Sequence, residues 1–169
     1  LLQVRMGRLL ALAALQMDLW KSQTWPQEIF TSAQAGLLRS AFMLSNEETE
    51  ALGWIGQKFP LVEQWPLQRV ATLKRICADA RWPLLFALWK VHNHDAERIQ
   101  AFTQRVKELA EDGVGLAPAP WVSGNDLIEL GAPPGPQFKQ WLEELYDRQL
   151  ENEFPQRQAA LAAAKNLLG

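Results

Sequence analysis

Residues 124–138, GNDLIELGAPPGPQF, combine residue types that leave the backbone open to a ligand. The stretch holds three glycines and three prolines in fifteen residues. Gly131 can take the left-handed conformation that ends a helix, and Pro136 sets the start of the next helix. Helix N-termini bordered by glycine bind anions such as phosphate, and Lys139 adds a positive charge. A plain turn between two helices is the alternative, and the residue types leave both interpretations open.

The helix ends at this corner supply candidate contacts to RNA. Asn125 or Asp126 is predicted to cap the short helix, and the first amides of the next helix include those of Gln137 and Phe138. Helix–turn–helix geometry with glycine in the turn can grip nucleic-acid backbones without reading bases. The candidate RNA-binding residues of this corner are Gly135, Gln137, Phe138 and Lys139.

A basic segment, QRVATLKRICADARW, is a second candidate for phosphate contacts. Val70, Leu73 and Cys77 fall on one helical stripe, which predicts the buried face. Arg69, Lys74 and Arg81 are therefore expected to look largely outward. A basic helix face can follow phosphates, although a merely solvated face is the alternative. The candidate RNA-binding residues of this segment are Arg69, Lys74, Arg75 and Arg81.

Eight tryptophans are many for a chain of 169 residues. Tryptophan can stack on unpaired bases. Most of these residues lie next to leucine, phenylalanine or proline, however, which favours packing within or between helices. They are Trp20, Trp25, Trp54, Trp65, Trp82, Trp89, Trp121 and Trp141.

The chain offers no recognisable catalytic or metal-ligating set. His92, His94 and Asp95 occur together in HNHD, but their spacing does not converge on one helix face, and no second cluster completes four ligands. No glycine-rich phosphate loop with lysine and no nucleophile with a histidine partner is present. We therefore expect no catalytic residue, metal or cofactor in this chain.

Charge and composition limit the kinds of partner and the cellular compartment that we expect for this chain. A net charge of −2 provides no global positive field, so any RNA contact must be local. The single cysteine, Cys77, excludes an internal disulfide and is typical of a reducing cytoplasm. The apolar N-terminal stretch is interrupted by Arg5 and Arg8 and favours a core helix over a signal peptide or membrane span. We expect a cytoplasmic protein without membrane contact.

Helical periodicity runs through nearly the whole chain, and no segment alternates convincingly like a strand. The pattern predicts an all-α protein with a multi-helix, body-like domain over residues 1–112 and a small three-helix tail over residues 113–169. The boundary between them is GVGLAPAPWVSG, with three glycines and two prolines in twelve residues.

Local signals predict individual helix ends. Ser45 and Glu48 form a capping box for a helix that is expected to stop at Phe59, before Pro60. Asp95 is expected to cap a long helix whose apolar stripe is Ile99, Phe102, Val106 and Leu109. The tail helices are predicted at 126–130, 136–151 and 156–168.

Two stretches resemble the C-terminal half of the bacterial tRNA nucleotidyltransferase and poly(A) polymerase family. Residues 37–52, LLRSAFMLSNEETEAL, resemble the helix of that family that leads into a leucine–serine–asparagine–glutamate turn. About forty residues from Ser123 onward are similar to its tail signature: glycine-x-aspartate-leucine, glycine-x-x-proline-glycine-proline, an aromatic residue and a long helix. The signature positions are Gly124, Asp126, Leu127, Gly131, Pro134, Gly135 and Pro136.

The resemblance implies a polymerase of RNA 3′ ends. In that family a head with two metal-binding aspartates uses Mg²⁺ with CTP or ATP, a neck selects the nucleotide, and body and tail hold the tRNA elbow. The head signature is absent here, and the chain begins inside a helical pattern without an initiator methionine. We therefore expect a non-catalytic piece of a larger nucleotidyltransferase, with its own N-terminal head and a tRNA or other RNA 3′ end as partners.

Some members of the family also carry an HD-type phosphohydrolase motif. At a comparable place this chain reads ALQMDLWKS, with Met17 where the histidine before Asp18 would stand. Because a thioether cannot replace imidazole on a hydrolytic metal, the resemblance implies that hydrolysis is lost. Two alternatives stay open: a structural or oligomerisation module that forms a homodimer, and a degenerate HD domain without hydrolase activity.

Overall fold

The fold of the chain is given by a computed structural model that describes residues 39–133 and 135–168, together with Gly7, 11–12 and Gly36. All regular secondary structure in these residues is helical, which confirms the all-α prediction. None of the described helices has the length and apolar character needed to cross a membrane. Met17, Asp18, Trp20, Trp25 and Pro134 lie outside the described residues. The helices are α1 (Asn46–Glu63), α2 (Val70–Ala78), α3 (Trp82–His92), α4 (Ala96–Glu111), α5 (Gly124–Glu129), α6 (Pro136–Leu150) and α7 (Arg157–Leu168), with a 3₁₀ turn at Trp65–Leu67.

Two of the predicted helix starts are confirmed by their capping contacts. The Ser45 hydroxyl accepts from the amide of Glu48 at 3.2 Å, and the Glu48 carboxylate accepts from the amide of Ser45 at 2.8 Å. Asp95 accepts from the amides of Glu97 and Arg98 at 2.9 and 3.1 Å. These side chains satisfy amides that have no partner within their own helix.

The predicted stop before Pro60 is wrong. Helix α1 continues through Pro60 to Glu63. A proline inside a helix removes one hydrogen bond and costs about 3 kcal/mol. Phe59 and Val62, on either side of it, are fully buried. Their burial outweighs that cost, since a fully buried large apolar side chain contributes roughly 1.5–3 kcal/mol.

The chain divides into two compact units. Of the described residues, the first comprises those up to Gln68 together with Asp79–Phe102, and the second comprises Arg69–Ala78 together with those from Thr103 onward. Helix α2 and the end of α4 thus belong to the same unit as the C-terminal helices. Within the second unit, Lys74 and Arg75 of α2 form ion pairs with residues 112 and 147, and Arg69, just before α2, pairs with residue 151. The boundary predicted after residue 112 rested on local composition and stays a prediction.

The core of the first unit is an aromatic cluster around Phe102. The Phe102 ring centroid lies 4.8 Å from that of Trp89 and 5.1 Å from that of Trp65, and Trp82 and Phe86 approach within about 6 Å. Phe102 and Trp89 are completely buried. Packing of α1 against α3 adds the aliphatic residues Leu52, Ile55, Val62, Leu85 and Leu88.

Glu63, at the end of α1, forms the polar edge of this core. Its carboxylate accepts from the Trp89 indole at 2.9 Å, the Asn93 amide at 3.2 Å and the Arg98 guanidinium at 2.8 Å. Arg98 also donates to the Glu63 carbonyl. Desolvation would raise the pKa of Glu63, but the hydrogen bonds from Arg98 and Asn93 outweigh it and lower the pKa. The network joins α1, α3 and the start of α4.

Cys77 of α2 is expected to be an unreactive thiol. It is buried, and desolvation raises the pKa of its thiol to about 12. Because the thiolate is the nucleophile, a rise of that size reduces the reactive fraction at pH 8 by roughly a hundredfold or more. We expect a disulfide reagent to label the folded chain that much more slowly than the urea-unfolded chain. Equal rates would contradict this environment for Cys77.

Candidate nucleic-acid interface

The start of α5 is capped by Ser123, with the predicted Asp126 reaching back to it, and not by Asn125. The Ser123 hydroxyl accepts from the Asp126 amide at 3.3 Å, and Asp126 accepts from the Ser123 amide at 2.7 Å. Asp126 is the third residue of the helix and completes a capping box from within. Asp126 does not take the capping position itself because the helix begins two residues earlier than predicted, at Gly124, which makes Ser123 the residue before the helix.

The end of α5 confirms the prediction for Gly131. Its φ is +89°, in the left-handed region that favours glycine. The Gly131 amide donates to Ile128 and the Ala132 amide to Leu127, both at 2.9 Å, as in a Schellman motif. These two amides are therefore occupied within the turn.

Several tail-signature residues have roles in packing. Leu127 is fully buried in the second unit's core. A β-carbon on Gly124 would lie 3.2 Å from the Phe138 ring, so glycine allows α5 to approach α6 closely. Asp126 also binds Arg157 of α7 at 2.5 Å. Hydrogen bonding from Ser123 and this arginine lower the pKa of Asp126 and keep it charged.

The start of α6 lies at the surface. Gly135, Pro136 and Gln137 are exposed, and the cap residue Gly135 has no side chain to occupy the helix end. Phe138 is half-buried, and its amide donates to the Gly135 carbonyl at 3.1 Å. Because the Phe138 amide already has this partner, the backbone surface for an anion is smaller than predicted.

Lys74 does not lie on an outer face of α2. Its side chain is 0% exposed, and its ammonium group lies 2.5 Å from the carboxylate of Asp112. Asp112 in turn accepts from the amides of Val114 and Gly115 at 3.2 and 2.8 Å. Desolvation opposes ionisation of Asp112, but Lys74 and the Gly115 amide lower its pKa. The prediction that Lys74 faces outward is wrong because the long apolar part of a lysine side chain can be buried when its ammonium group reaches a carboxylate.

Arg69 and Arg75 face solvent, each beside an acidic residue on α6 or directly after its end. Arg69 binds Glu151 at 2.8 Å, and Arg75 binds Asp147 at 2.7 Å. Exposed ion pairs of this kind contribute roughly 0–1 kcal/mol, so a phosphate can displace the carboxylate. The acidic partners weaken the positive field around Arg69 and Arg75 but leave both guanidinium groups accessible to solvent.

Arg81 belongs to the first unit. It holds Asp79 through two hydrogen bonds of 2.8 and 2.7 Å, and its guanidinium lies 4.8 Å from the centre of the Trp54 ring. Both contacts keep the side chain half-buried. The structure therefore gives Arg81 a role in the local turn after α2.

A pocket of about 430 Å³ in the second unit brings together two candidate RNA-binding residues, Arg75 and Lys139, and the tail-signature residue Gly124. We call it the Arg75–Lys139 pocket. The Arg75 guanidinium lies 4.9 Å above the centre of the Tyr146 ring, which gives one wall a flat, positively charged surface. Lys139 stands at the mouth with 84% of its side chain exposed. It is lined by Arg75, Pro120, Val122, Ser123, Gly124, Lys139, Leu142, Glu143 and Tyr146.

The sequence analysis missed four residues of this region, three on α6 and the fourth, Glu151, directly after it. Glu143, Asp147 and Glu151 follow one another at intervals of four residues, which places them on the same face of a helix. Tyr146 donates its hydroxyl to the Pro118 carbonyl at 3.1 Å, which fixes its ring in the pocket wall. The four-residue spacing was a usable signal for the acidic row, but no local pattern pairs it with α2.

The tryptophans with described positions pack rather than offer open stacking faces. All six are at most half-exposed. Trp121 and Trp141 pack against the core of the second unit. In HNHD, His92 packs edge-on against Phe59 at 5.1 Å, and Asp95 caps α4. No three histidine, cysteine or acidic side chains gather as a metal site in the described part of the chain.

Comparisons with known proteins add no relative to this description. No family model, curated protein or solved structure matches the chain.

Proposed function

We propose that this chain is the body and tail region of a tRNA nucleotidyltransferase or poly(A) polymerase. In this proposal its second unit holds the RNA through phosphate contacts, while a separate head adds nucleotides to the 3′ end. The residues assigned to RNA are Arg69, Arg75 and Lys139, together with the exposed start of α6 around Gly135 and Gln137. Lys74 is left out because it has no exposed atom.

The Arg75–Lys139 pocket is the observation that carries the proposal. Two cationic side chains from different helices, α2 and α6, flank one concave surface. Beside it lies a helix start whose cap is a glycine without a side chain. Phosphate binds well to cationic side chains and to helix N-termini, and this chemistry positions a nucleic acid without reading sequence.

The catalytic chemistry belongs to the head in this proposal. The described residues provide no cluster of carboxylates suited to Mg²⁺, so no residue here is assigned to the metal, CTP or ATP. A reducing cytoplasm is part of the proposal and is supported by the buried, unpaired Cys77.

Removing both cations of the pocket is expected to weaken RNA binding by about tenfold at low salt. The double variant Arg75→Ala/Lys139→Ala loses two phosphate contacts, so the slope of log affinity against log salt should fall by roughly 1.4–1.8. A gel shift or filter-binding titration of the full chain with tRNA over a range of salt concentrations measures both quantities. An unchanged affinity and slope would refute the proposal.

Two further variants sharpen this test. Asp147→Asn removes the acidic partner of Arg75 and should strengthen RNA binding, because the guanidinium no longer has to exchange a carboxylate for a phosphate. Lys107→Ala is the matched control. Like Lys139, Lys107 is an exposed lysine paired with a glutamate four residues later, but it lies on α4 away from the pocket lining. It should leave binding nearly unchanged.

A structural or oligomerisation module is the second candidate. It is favoured by large apolar side chains exposed on the first unit, among them Met43 at 88%, Leu67 at 81% and Val91 at 73%. Sedimentation of the chain with and without tRNA separates the two functions. A stable dimer that is indifferent to RNA, and that Leu67→Ser/Val91→Ser disrupts, supports the module and not the RNA-binding proposal.

A further inference from the structure

The Arg75–Lys139 pocket is shaped for a single unit of a polymer rather than for a duplex. Its volume of about 430 Å³ lies at the lower end of the range for small-ligand sites. Lys139 and Glu143, on successive turns of α6, are both largely exposed at its mouth. A ligand that is continuous with an outside chain can therefore enter and leave through this opening.

The interior of the pocket suits an aromatic ring with a phosphate beside it. Pro120, Val122 and Leu142 provide an apolar floor. The guanidinium of Arg75, spread over Tyr146, provides a flat wall of the kind on which unpaired bases stack. Lys139 supplies a point charge for the phosphate. Few other biological ligands combine a flat ring with an anion on a flexible link.

Glu143 adds a preference among the bases. A carboxylate only accepts hydrogen bonds, and it does so best from two donors side by side. Its one contact to Lys139 is a 3.6 Å pair between exposed side chains on the same helix, which a ligand can displace. The Watson–Crick edge of guanine carries adjacent imino and amino donors. Adenine and cytosine present a single amino group there, and uracil presents one imino group between two carbonyls.

We infer that the Arg75–Lys139 pocket binds one unpaired guanine nucleotide of the RNA, with Glu143 selecting the base and Lys139 holding its phosphate. This inference rests on the proposed function for the source of the nucleotide. It goes further by assigning base selectivity to a surface whose other contacts are to the phosphate backbone. A free guanine nucleotide shares the same chemistry and serves as the probe.

The test compares guanosine and adenosine 5′-monophosphates, titrated separately into the full chain by calorimetry or nuclear magnetic resonance. Guanosine monophosphate should bind roughly tenfold tighter, as expected for one two-point contact to a base. Glu143→Ala should reduce this ratio to about one. Glu144→Ala, the matched control, removes the same charge from the next residue of α6, outside the pocket lining, and should keep the ratio.

The ratio, rather than the affinity, is the readout because removing any acidic residue strengthens the binding of all nucleotides. Equal binding of the two nucleotides, no binding of either at millimolar concentration, or a preference that survives Glu143→Ala would overturn the inference. In a second arm, RNA hairpins with one unpaired loop guanine or adenine show whether the site acts within a polymer. A ratio of one there confines the site to free nucleotides and overturns the assignment to RNA.

The two proposals fail separately. If tRNA binds and depends on Arg75 and Lys139 but the nucleotides are not distinguished, only the guanine pocket is wrong. If the nucleotides are distinguished through Glu143 but tRNA does not bind, the pocket stands as a nucleotide site and the RNA-holding function is wrong.

Discussion

Replacing Phe102 by alanine is expected to lower the free energy of unfolding of the first unit by roughly 3–5 kcal/mol, the range for truncating a buried aromatic residue. The ring is fully buried and contacts four other aromatic rings. Its loss leaves a cavity between Trp65 and Trp89, which are held on separate segments and cannot both move in to fill it. Urea unfolding followed by tryptophan fluorescence measures the loss directly.

Two controls test the reason for this effect. Phe102→Leu keeps most of the volume and should cost clearly less than alanine. Val91→Ala changes a side chain that is exposed on α3 and should stay within about 0.5 kcal/mol of the unchanged chain. If Phe102→Ala proved as mild as Val91→Ala, the aromatic cluster would not be the core of this unit.

Replacing Lys74 by alanine is expected to destabilise the second unit by about 3 kcal/mol. Removing one partner of a buried ion pair typically costs 3–5 kcal/mol because the remaining charge is left without compensation. We place Lys74 at the lower end because the Asp112 side chain is 24% exposed and keeps its bonds to the amides of Val114 and Gly115. Urea unfolding followed by far-ultraviolet circular dichroism gives the difference.

Arg69→Ala is the matched control for Lys74. It also removes a cation and an ion pair from the region of α2, but the Arg69 side chain is 61% exposed, so the expected cost is below about 1 kcal/mol. The order of the two effects should be reversed for RNA binding. Arg69→Ala should weaken it, whereas Lys74→Ala should bind normally under conditions where it is folded. A stable Lys74→Ala variant with impaired RNA binding would contradict the burial of this lysine.

The acidic row on α6 has a consequence for any RNA that binds this unit. Asp147 and Glu151 pair with the guanidinium groups of Arg75 and Arg69 before a ligand arrives. A phosphate has to displace these carboxylates, whose negative charge also opposes it. If RNA binds as proposed, the expected result is a weak, salt-sensitive interaction.

Much of the local structure follows from the sequence alone. The capping box of Ser45 and Glu48, the cap at Asp95 and the left-handed Gly131 each depend on residues within three or four positions of one another. Hydrogen bonds over such short distances are set by the local chain, so residue type is enough to predict them. The helical periods that gave the all-α class are local in the same way.

The candidate site was decided by tertiary structure. Arg75 and Asp147 are separated by 72 positions and Arg69 and Glu151 by 82, and no pattern in the sequence pairs them. The periodicity of α2 placed Lys74 outside because it treats every lysine as polar, yet the half-buried carboxylate of Asp112 lies at the end of its side chain. Pro60 stays inside a helix because burial of Phe59 and Val62 outweighs a local rule. The sequence determined that the described chain is helical and where several of its helices begin or end. Only the packing of these helices determined which charges remain open to a ligand, because Coulomb and burial energies depend on distances in space rather than along the chain.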